Sequence, residues 1–321
     1  MRSLITGVGG FAGQHLAELL MSRDGARVSG LERHPVSWHR GDLCEESGFA
    51  LLTADLTRAE EVARALRVAE PEWVFLLAAH SAPGESFADP MGTIVNNVAC
   101  VLNVLEAIRL SGAPTRILLV SSGEVYGRPQ DGASPHTELA PLAPDNPYAV
   151  SKVAQDLLGR QYHVAYGLDV VRVRPFNHIG PGQSDRFVTA AFARQIAEAE
   201  SGLRDPVIDV GNLTAQRDFT DVRDIVRGYE RALEKGHKGE AYNLASGVAR
   251  SVQSVLDGLV ARSRVAIDVR FDPKRARPVD APLVVGDATR FRQQCEWAPA
   301  IPFEQTLDDI LDDWRQRITV V

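Results

Sequence analysis

The chain has 321 residues, of which 45% are hydrophobic and 24% charged, a composition typical of a globular protein with a sizeable core. Its net charge is −7 and it has no block rich in Lys and Arg, so we expect no binding to nucleic acid or to an anionic membrane surface. Cys44, Cys100 and Cys295 lack the spacing of metal ligands or of a disulfide framework. We therefore expect no metal site and a reducing, cytoplasmic location. No segment reaches the ~18 apolar residues of a membrane span.

Short apolar runs alternate with helical patterns through the first half of the chain. The predicted strands are Ser3–Thr6, Arg27–Leu31, Trp73–Ala78, Arg116–Val120 and Asp169–Val173. This alternation indicates an α/β fold in which a doubly wound parallel sheet carries helices on both faces.

After residue 173 the pattern becomes irregular and rich in loops. A helix at Val222–Glu234 and a strand at Ala241–Ala245 then resume the first pattern, whereas helices at Val252–Arg262 and Phe303–Ile318 and a strand at Val265–Phe271 belong to the tail. We therefore predict one α/β domain over 1–173 to which 219–247 return, and a smaller α/β substrate-binding lobe over 174–218 and 248–321. The two units are interleaved in the sequence.

The helix predicted at Met91–Leu110 is apolar around most of its circumference, which indicates that it is buried on two sides. One side packs on the sheet. The other side, together with the helix Tyr148–Tyr166, predicts a homodimer contact.

A glycine-rich turn follows the first strand. Gly7, Gly10 and Gly13, with Phe11 and Ala12 between them, open directly into a helix. Glycine permits the tight turn and lets backbone N–H groups approach a pyrophosphate at the positive end of a helix. The turn predicts a Rossmann-type dinucleotide site.

The second predicted strand ends in Glu32-Arg33, which give opposite signals about the cofactor. A carboxylate there binds the adenosine ribose of NAD, whereas an arginine binds the 2′-phosphate of NADP. The choice between NADP and NAD stays open. Asp55, followed by Leu56, ends another short strand and either meets the adenine or caps a helix.

Tyr148 and Lys152 lie four residues apart in a helical segment, so they share one face of the helix. A nearby ammonium favours ionisation of the phenol and brings it closer to acid–base use at neutral pH. The strand Arg116–Val120 runs into Ser121-Ser122-Gly123-Glu124, which places hydroxyls at the carboxyl end of a central strand, where open α/β sheets build their sites.

Together these motifs resemble the extended short-chain dehydrogenase/reductase family over nearly the whole chain. The resemblance implies that Ser122, Tyr148 and Lys152 form a catalytic triad, in which Tyr148 transfers the proton. It also implies contacts of Lys152, Ala78, Ala79 and Asn97 with the cofactor, although Asn97 also fits an ordinary polar helix position.

For the substrate, the resemblance implies that a sugar-nucleotide diphosphate contacts Asn177 and is clamped by Arg217 and Arg277. Guanidinium groups suit phosphate oxygens, and an acidic protein needs local cations to hold them. Ser81, Ser122 and Asp280 complete the predicted substrate contacts. His178 either acts as an acid–base group or packs beneath the phosphates.

Within that family, the segments 176–183, 210–212 and 217–224 are similar to GDP-4-keto-6-deoxy-D-mannose reductases, which make GDP-D-rhamnose. The resemblance implies reduction of a C4 ketone on a GDP-sugar. One alternative is a GDP-mannose 4,6-dehydratase that uses Glu124 as a base. Against it, position 123 is Gly, where those dehydratases carry a hydroxyl or a second acid. The other alternative is a non-catalytic dinucleotide sensor or scaffold.

Overall fold

The computed structural model describes residues 1–39, 41, 43–129, 135–275 and 281–319. The strands, in chain order, are β1 (Arg2–Thr6), β2 (Arg27–Glu32), β3 (Phe49–Thr53), β4 (Trp73–Leu76), β5 (Arg116–Val120), β6 (Asp169–Pro175), β7 (Asn177–Ile179), β8 (Val207–Val210), β9 (Gln216–Asp221), β10 (Ala241–Leu244), β11 (Ala249–Ser251), β12 (Asp268–Phe271) and β13 (Leu283–Val284). The helices are α1 (Phe11–Met21), α2 (Ala59–Ala69), α3 (Pro90–Ser111), α4 (Pro147–Tyr166), α5 (Val188–Glu200), α6 (Val222–Lys235), α7 (Val252–Val260), α8 (Thr289–Cys295) and α9 (Phe303–Thr319).

Seven strands form one parallel sheet in the order β10-β6-β5-β4-β1-β2-β3. The chain reverses its direction of travel across the sheet between β1 and β4, and ligands of open parallel sheets bind at such a switch point, beyond the carboxyl ends of the strands. The predicted α/β class and the parallel sheet are confirmed. Apolar side chains cover both faces of the sheet, α1 and α6 packing on one and α2, α3 and α4 on the other.

The two helices that matter most for the site begin at strong capping signals. Asp89 accepts a hydrogen bond from the Gly92 N–H at the start of α3, and Asn146 accepts one from the Ala149 N–H at the start of α4. In both helices proline fills the first position, where no N–H is needed. The capping residue Asn146, two residues before Tyr148, sets where α4 begins.

The smaller lobe has its own apolar core, to which α5, α7 and α9 contribute. Its strands form a sheet around β9, which pairs with β7, β11 and β13, and the separate pair β8–β12. β10 returns to the large sheet as the sequence predicts.

The predicted division of the chain needs two corrections. β9 lies in the small sheet, so the return to the large domain begins with α6 rather than at residue 219. Phe291, Cys295 and Trp297 are buried in the core of the large sheet, against α6 and β10. This apolar segment therefore lies outside the smaller lobe, to which 248–321 were assigned.

α3 is, among the described residues, the helix that is long and apolar enough to cross a membrane by length and composition. From the sequence we expect no segment of this length and hydrophobicity, and by composition alone that expectation is wrong. Val101, Val104 and Leu105 are buried between the sheet and the neighbouring helices, which explains the apolar sequence without a bilayer. On the opposite face Met91 and Val95 are exposed.

Candidate active site

A cavity of about 600 Å³ opens at the carboxyl ends of the central strands. The predicted residues that line it are Gly7, Gly10, Phe11, Ala12, Gly13, Glu32, Arg33, Asp55, Leu56, Ala78, Ala79, Ser81, Ser122, Glu124, Tyr148, Lys152 and Asn177. Asn97 and Arg217 do not line it, and Arg277 and Asp280 lie outside the described residues. The fold thus brings the predicted cofactor and catalytic residues to one continuous surface.

The glycine turn fits only glycine at two of its positions. Gly7 has a φ of 71°, and a Cβ there would lie 2.9 Å from the Cα of Ala78. A Cβ on Gly13 would collide with the carbonyl oxygen of Gly7. The backbone is therefore open to a ligand at the start of α1, where the partial positive charge of the helix favours a pyrophosphate. The residues present fit a dinucleotide.

At the far end of the cavity, Glu32 and Asp55 are held by the chain itself. Glu32 Oε1 accepts the Gly9 N–H at 2.7 Å, and burial raises the pKa of this carboxyl. Asp55 accepts hydrogen bonds from the hydroxyl and N–H of Thr57, which lower its pKa. Asp55 therefore stabilises the turn before α2. Arg33 is exposed at the rim, 3.9 Å from Asp55.

Ser122, Tyr148 and Lys152 form what we call the catalytic wall. Ser122 follows β5, and its hydroxyl oxygen accepts the Glu124 N–H at 3.2 Å, which leaves the hydroxyl proton available for another acceptor. Lys152 Nζ donates to the carbonyl of Val120 at 2.9 Å and lies 5.9 Å from the Tyr148 ring centroid. All three side chains are buried, so water competes little with a bound ligand for their hydrogen bonds.

The electrostatics of the catalytic wall differ from the expectation. Burial raises the pKa of Tyr148 above its usual value, the hydrogen bond to Ser122 lowers it only in part, and the nearby Glu124 raises it further. Burial also lowers the pKa of Lys152 to about 8. Burial therefore opposes the ionisation of the phenol that the sequence analysis expects from the neighbouring lysine. Tyr148 is therefore protonated at neutral pH.

A buried ion-pair network positions α4. Asp156 accepts two hydrogen bonds from the guanidinium of Arg174, at 2.8 and 3.0 Å, and pairs also with Arg172. These arginines lower the pKa of Asp156 even though burial alone raises it. The helix that carries Tyr148 is thereby attached to β6, and sequence reasoning missed this because Asp156 and Arg174 belong to different motifs.

Asn97 lies behind the cavity instead of in it. Its side-chain amide exchanges hydrogen bonds with the N–H and C=O of His80, at 2.7 and 3.1 Å, and donates to Ser151 at 2.9 Å. Its place on the buried face of α3 explains why it fixes the turn after β4 rather than contacting a ligand. The neighbouring Asn96 lines the cavity.

The substrate end is only partly assembled from the predicted residues. Asn177 lines the cavity, and His178 stacks on Phe11 with ring centroids 5.9 Å apart. Burial lowers the pKa of His178, which fits packing rather than proton transfer. Arg217 is buried on β9 and donates to the carbonyl of Ala281 at 2.7 Å. The predicted clamp therefore has one described arginine, and it contacts the chain's own backbone.

Gly123 is packed closely against the side chain of Phe176. A Cβ at this position would lie 2.9 Å from the ring of Phe176, and the other side of that ring is closed by Gly286, whose Cβ would also collide with it. Position 123 therefore accepts neither a hydroxyl nor an acid unless Phe176 moves. Nearby, Glu124 accepts a hydrogen bond from the Asn146 amide at 3.3 Å.

Several lining residues carry no recognisable signal in the sequence. They are His34, Pro35, Val36, Ser37, Tyr229 and Val284. They come from loops, from the helix α6 and from the strand β13, and only the fold brings them to the cavity. Gln183 and Phe187 line the cavity as well.

The GDP-mannose 4,6 dehydratase family model matches residues 4–310. The chain belongs to this family. The predicted membership of the extended short-chain dehydrogenase/reductases is thereby confirmed.

Three relatives illustrate what the chain is similar to. It is 37% identical to the GDP-6-deoxy-D-mannose reductase of Pseudomonas aeruginosa over 318 residues, 99% of this chain and 98% of that protein. It is 31% identical to a GDP-mannose 4,6-dehydratase of Sinorhizobium fredii, covering 92% of this chain and 91% of that one. The solved structure of RMD from Pseudomonas aeruginosa complexed with NADPH superposes with a TM-score of 0.85, at 33% identity over 99% of this chain and 100% of that one.

Proposed function

We propose that this protein reduces the C4 ketone of GDP-4-keto-6-deoxy-D-mannose to GDP-D-rhamnose with a reduced nicotinamide cofactor. The observation that carries the proposal is the pairing of a buried, protonated phenol at Tyr148 with a neighbouring position, Gly123, that is packed closely against Phe176. Reduction of a ketone needs one proton donor, which Tyr148 provides. The similarity to the Pseudomonas reductase supports the same substrate.

The chain's own residues perform the proton half of the reaction. The bound cofactor supplies the hydride that converts the ketone carbon to an alcohol carbon. Tyr148 donates its proton to the oxygen as negative charge develops there, and the Ser122 hydroxyl stabilises that charge by a hydrogen bond. The Lys152 ammonium then stabilises the phenolate that remains, at a distance set by its hydrogen bond to Val120.

The cofactor is NADPH in this proposal. One carboxylate oxygen of Glu32 is committed to the Gly9 N–H, whereas Arg33 and His34 lie together at the exposed rim, where a 2′-phosphate would be placed. Guanidinium groups bind phosphate oxygens through two parallel hydrogen bonds. The solved relative complexed with NADPH supports this choice.

A GDP-mannose 4,6-dehydratase remains the second candidate because Glu124 lines the same cavity beside Ser122. Elimination of water requires removal of a proton from C5 and delivery of a proton to the departing C6 oxygen. The described carboxylates that line the cavity are Glu32, Asp55 and Glu124, and the first two lie at the adenosine end. Glu124 would have to make both transfers alone.

We also propose that the protein is a homodimer in the cytoplasm. The solvent face of α3 exposes Val95 and Leu102, and that of α4 exposes Val150 and Leu157. Two adjacent helices with apolar outer faces match a symmetric four-helix contact between copies. Light scattering is expected to give twice the chain mass, and Leu102→Glu with Leu157→Glu to give the monomer; a monomeric wild type would refute the dimer.

The function is tested by adding GDP-4-keto-6-deoxy-D-mannose and NADPH to the purified protein and following NADPH absorbance. We expect one NADPH oxidised for each ketone consumed. Formation of a keto product from GDP-mannose, with no consumption of added NADPH or NADH, would instead establish the dehydratase. Binding of NADPH with neither reaction would favour the non-catalytic alternative.

A further inference from the structure

Tyr229 is a second phenol at the cavity, and the proposed mechanism does not use it. It lies on α6 and is 1% exposed, and its ring belongs to the apolar core of the large sheet together with Val120 and Phe176. Like Phe176, it also lines the cavity. Its side chain therefore extends from the core to the ligand-binding surface.

The hydroxyl groups of three other buried tyrosines are paired within the chain. Tyr126 donates to Asn243 Oδ1 at 2.7 Å, Tyr162 donates to Glu106 at 2.8 Å, and Tyr242 accepts the backbone N–H of His237 at 3.1 Å. These three tyrosines, all among the described residues, lie away from the cavity lining. Each of their hydroxyls therefore contributes to the fold.

The Tyr229 hydroxyl has no such partner. Among the residues that the structure describes, none donates a hydrogen bond to it or accepts one from it. A buried hydroxyl that gives up its bonds to water without a replacement destabilises the fold. The Tyr229 oxygen is also not fully enclosed, unlike the unpaired Oε1 of Gln183, so it opens onto the cavity that the residue lines. A ligand in the cavity can therefore pair with it.

The two phenols of the cavity come from opposite faces of the sheet. Tyr148 is carried by α4, which packs on one face, and Tyr229 by α6, which packs with α1 on the other. Burial raises the pKa of both phenols, and the nearby Tyr148 raises that of Tyr229 further, so both are protonated at neutral pH. They are close but make no hydrogen bond to each other. Each can therefore donate to a ligand.

The requirements of hydride transfer indicate which ligand group meets Tyr229. The reacting carbon atoms must lie about 3–3.5 Å apart, so the nicotinamide ring lies against the ketone that Ser122 and Tyr148 hold. The side of the ring turned away from the ketone then faces the α6 side of the cavity, which Phe11 and Phe176 make apolar. The polar substituent of this ring is a carboxamide, and its oxygen accepts hydrogen bonds.

We propose that the Tyr229 hydroxyl donates a hydrogen bond to the carboxamide oxygen of the bound nicotinamide and so fixes the orientation of the ring. The inference rests on the nicotinamide cofactor of the proposed function and not on the identity of the sugar. NADPH and NADH carry the same carboxamide. Tyr229 therefore contributes equally to the binding of both, whereas Arg33 acts through the 2′-phosphate.

The test compares two phenylalanine variants of the full chain. Tyr229→Phe removes the open hydroxyl, and Tyr242→Phe, the matched control, removes a buried hydroxyl that is paired within the chain. By isothermal titration calorimetry, Tyr229→Phe should raise the Kd for NADPH about five- to tenfold and leave unchanged the Kd for 2′-phospho-ADP-ribose, which lacks the nicotinamide. Tyr242→Phe should bind both ligands as the wild type does. An unchanged Kd for NADPH in Tyr229→Phe, or an equal rise for both ligands, overturns the proposal.

Thio-NADPH assigns the hydrogen bond to the carboxamide. Its sulfur accepts hydrogen bonds more weakly than oxygen does, so the wild type should bind it less tightly than NADPH, and Tyr229→Phe should bind the two alike. Equal discrimination by both proteins overturns the contact. The melting temperature should fall in Tyr242→Phe and not in Tyr229→Phe, which separates folding from binding. A wild type that binds NADPH but leaves the keto sugar unreduced would refute the proposed function alone, whereas a wild type that binds neither cofactor overturns both.

Discussion

The catalytic wall and the adenosine rim of the same cavity are built in different ways. Ser122, Tyr148 and Lys152 are buried, and the chain's own hydrogen bonds hold two of them in place. At the rim, Arg33 is exposed, and its guanidinium contacts the side chains of Asp55 and His34. A side chain that is already held in place lowers the activation barrier of the reaction. An exposed side chain becomes ordered only when the ligand binds, and it contributes to the affinity for that ligand. Substitutions at the two ends should therefore change different measured quantities.

Tyr148→Phe is expected to have the largest effect. It removes only the proton donor, so kcat should fall by about 10²- to 10⁴-fold while NADPH affinity stays the same. Stopped-flow or steady-state assays with the keto sugar measure the first quantity, and fluorescence titration the second. Tyr166→Phe is the matched control, since it makes the same change at an exposed position on the same helix. Retention of activity in Tyr148→Phe would contradict the assigned mechanism.

The charge of Lys152 predicts a pH dependence. Because burial lowers the pKa of Lys152 to about 8, the ammonium is present below that pH and is lost as the pH rises through it. The value of kcat should therefore fall on the alkaline side of about pH 8, up to about tenfold for each pH unit.

Lys152→Arg tests the origin of that alkaline limb. Guanidinium keeps its charge beyond pH 12, so the limb should move to higher pH in any active variant, whatever its maximum rate. Circular dichroism at each pH separates loss of activity from loss of fold. An identical limb in wild type and variant would show that Lys152 is not the titrating group.

Gly123→Ser examines the packing that distinguishes the reductase from the dehydratase. The added Cβ meets the Phe176 ring at 2.9 Å, and overpacking of this kind costs about 1–3 kcal/mol of folding free energy. Urea unfolding measures this cost, and Phe176→Leu in the same chain should recover part of it. Gly84→Ser is the control, because a Cβ there meets open space. Equal stability of both serine variants would show that position 123 is not restricted.

Arg33→Ala should have the smallest effect, and it should be confined to affinity. The Kd for NADPH is expected to rise about tenfold, equivalent to ~1.4 kcal/mol, while the Kd for NADH and kcat at saturation change little. Arg67→Ala on α2 is the exposed control. An equal rise in the Kd for NADPH and for NADH would mean that Arg33 does not bind the 2′-phosphate.

The same contrast explains what the sequence could predict. Gly7 and Gly13 lie at fixed offsets in the turn between β1 and α1, and Tyr148 and Lys152 lie four residues apart on α4, so local spacing was enough to indicate their roles. Asn97 also follows a recognisable pattern, yet its amide points to His80 rather than to a ligand. The spacing of residues in the sequence predicts which face of a helix they share. The residues that pack against that face depend on the tertiary fold.

Features that depend on contacts between distant segments could not be read from the sequence. The pairing of Asp156 with Arg174, the enclosure of Phe176 between Gly123 and Gly286, and the pKa of Tyr148 all arise from burial and from side chains brought together by the sheet. The adenosine end stayed ambiguous for the same reason. Glu32 and Arg33 are adjacent in the sequence, and only the hydrogen bond from Gly9 to Glu32 distinguishes their roles.

The most direct test of the account follows a deuterium label from NADPH into the sugar. The purified protein is given GDP-4-keto-6-deoxy-D-mannose with NADPH deuterated on the transferred position, and the product is examined by NMR. We predict one deuterium at C4 of the sugar, with rhamnose stereochemistry, and none elsewhere. Deuterium at C6, or a product without the label, would contradict the proposed reduction at this site.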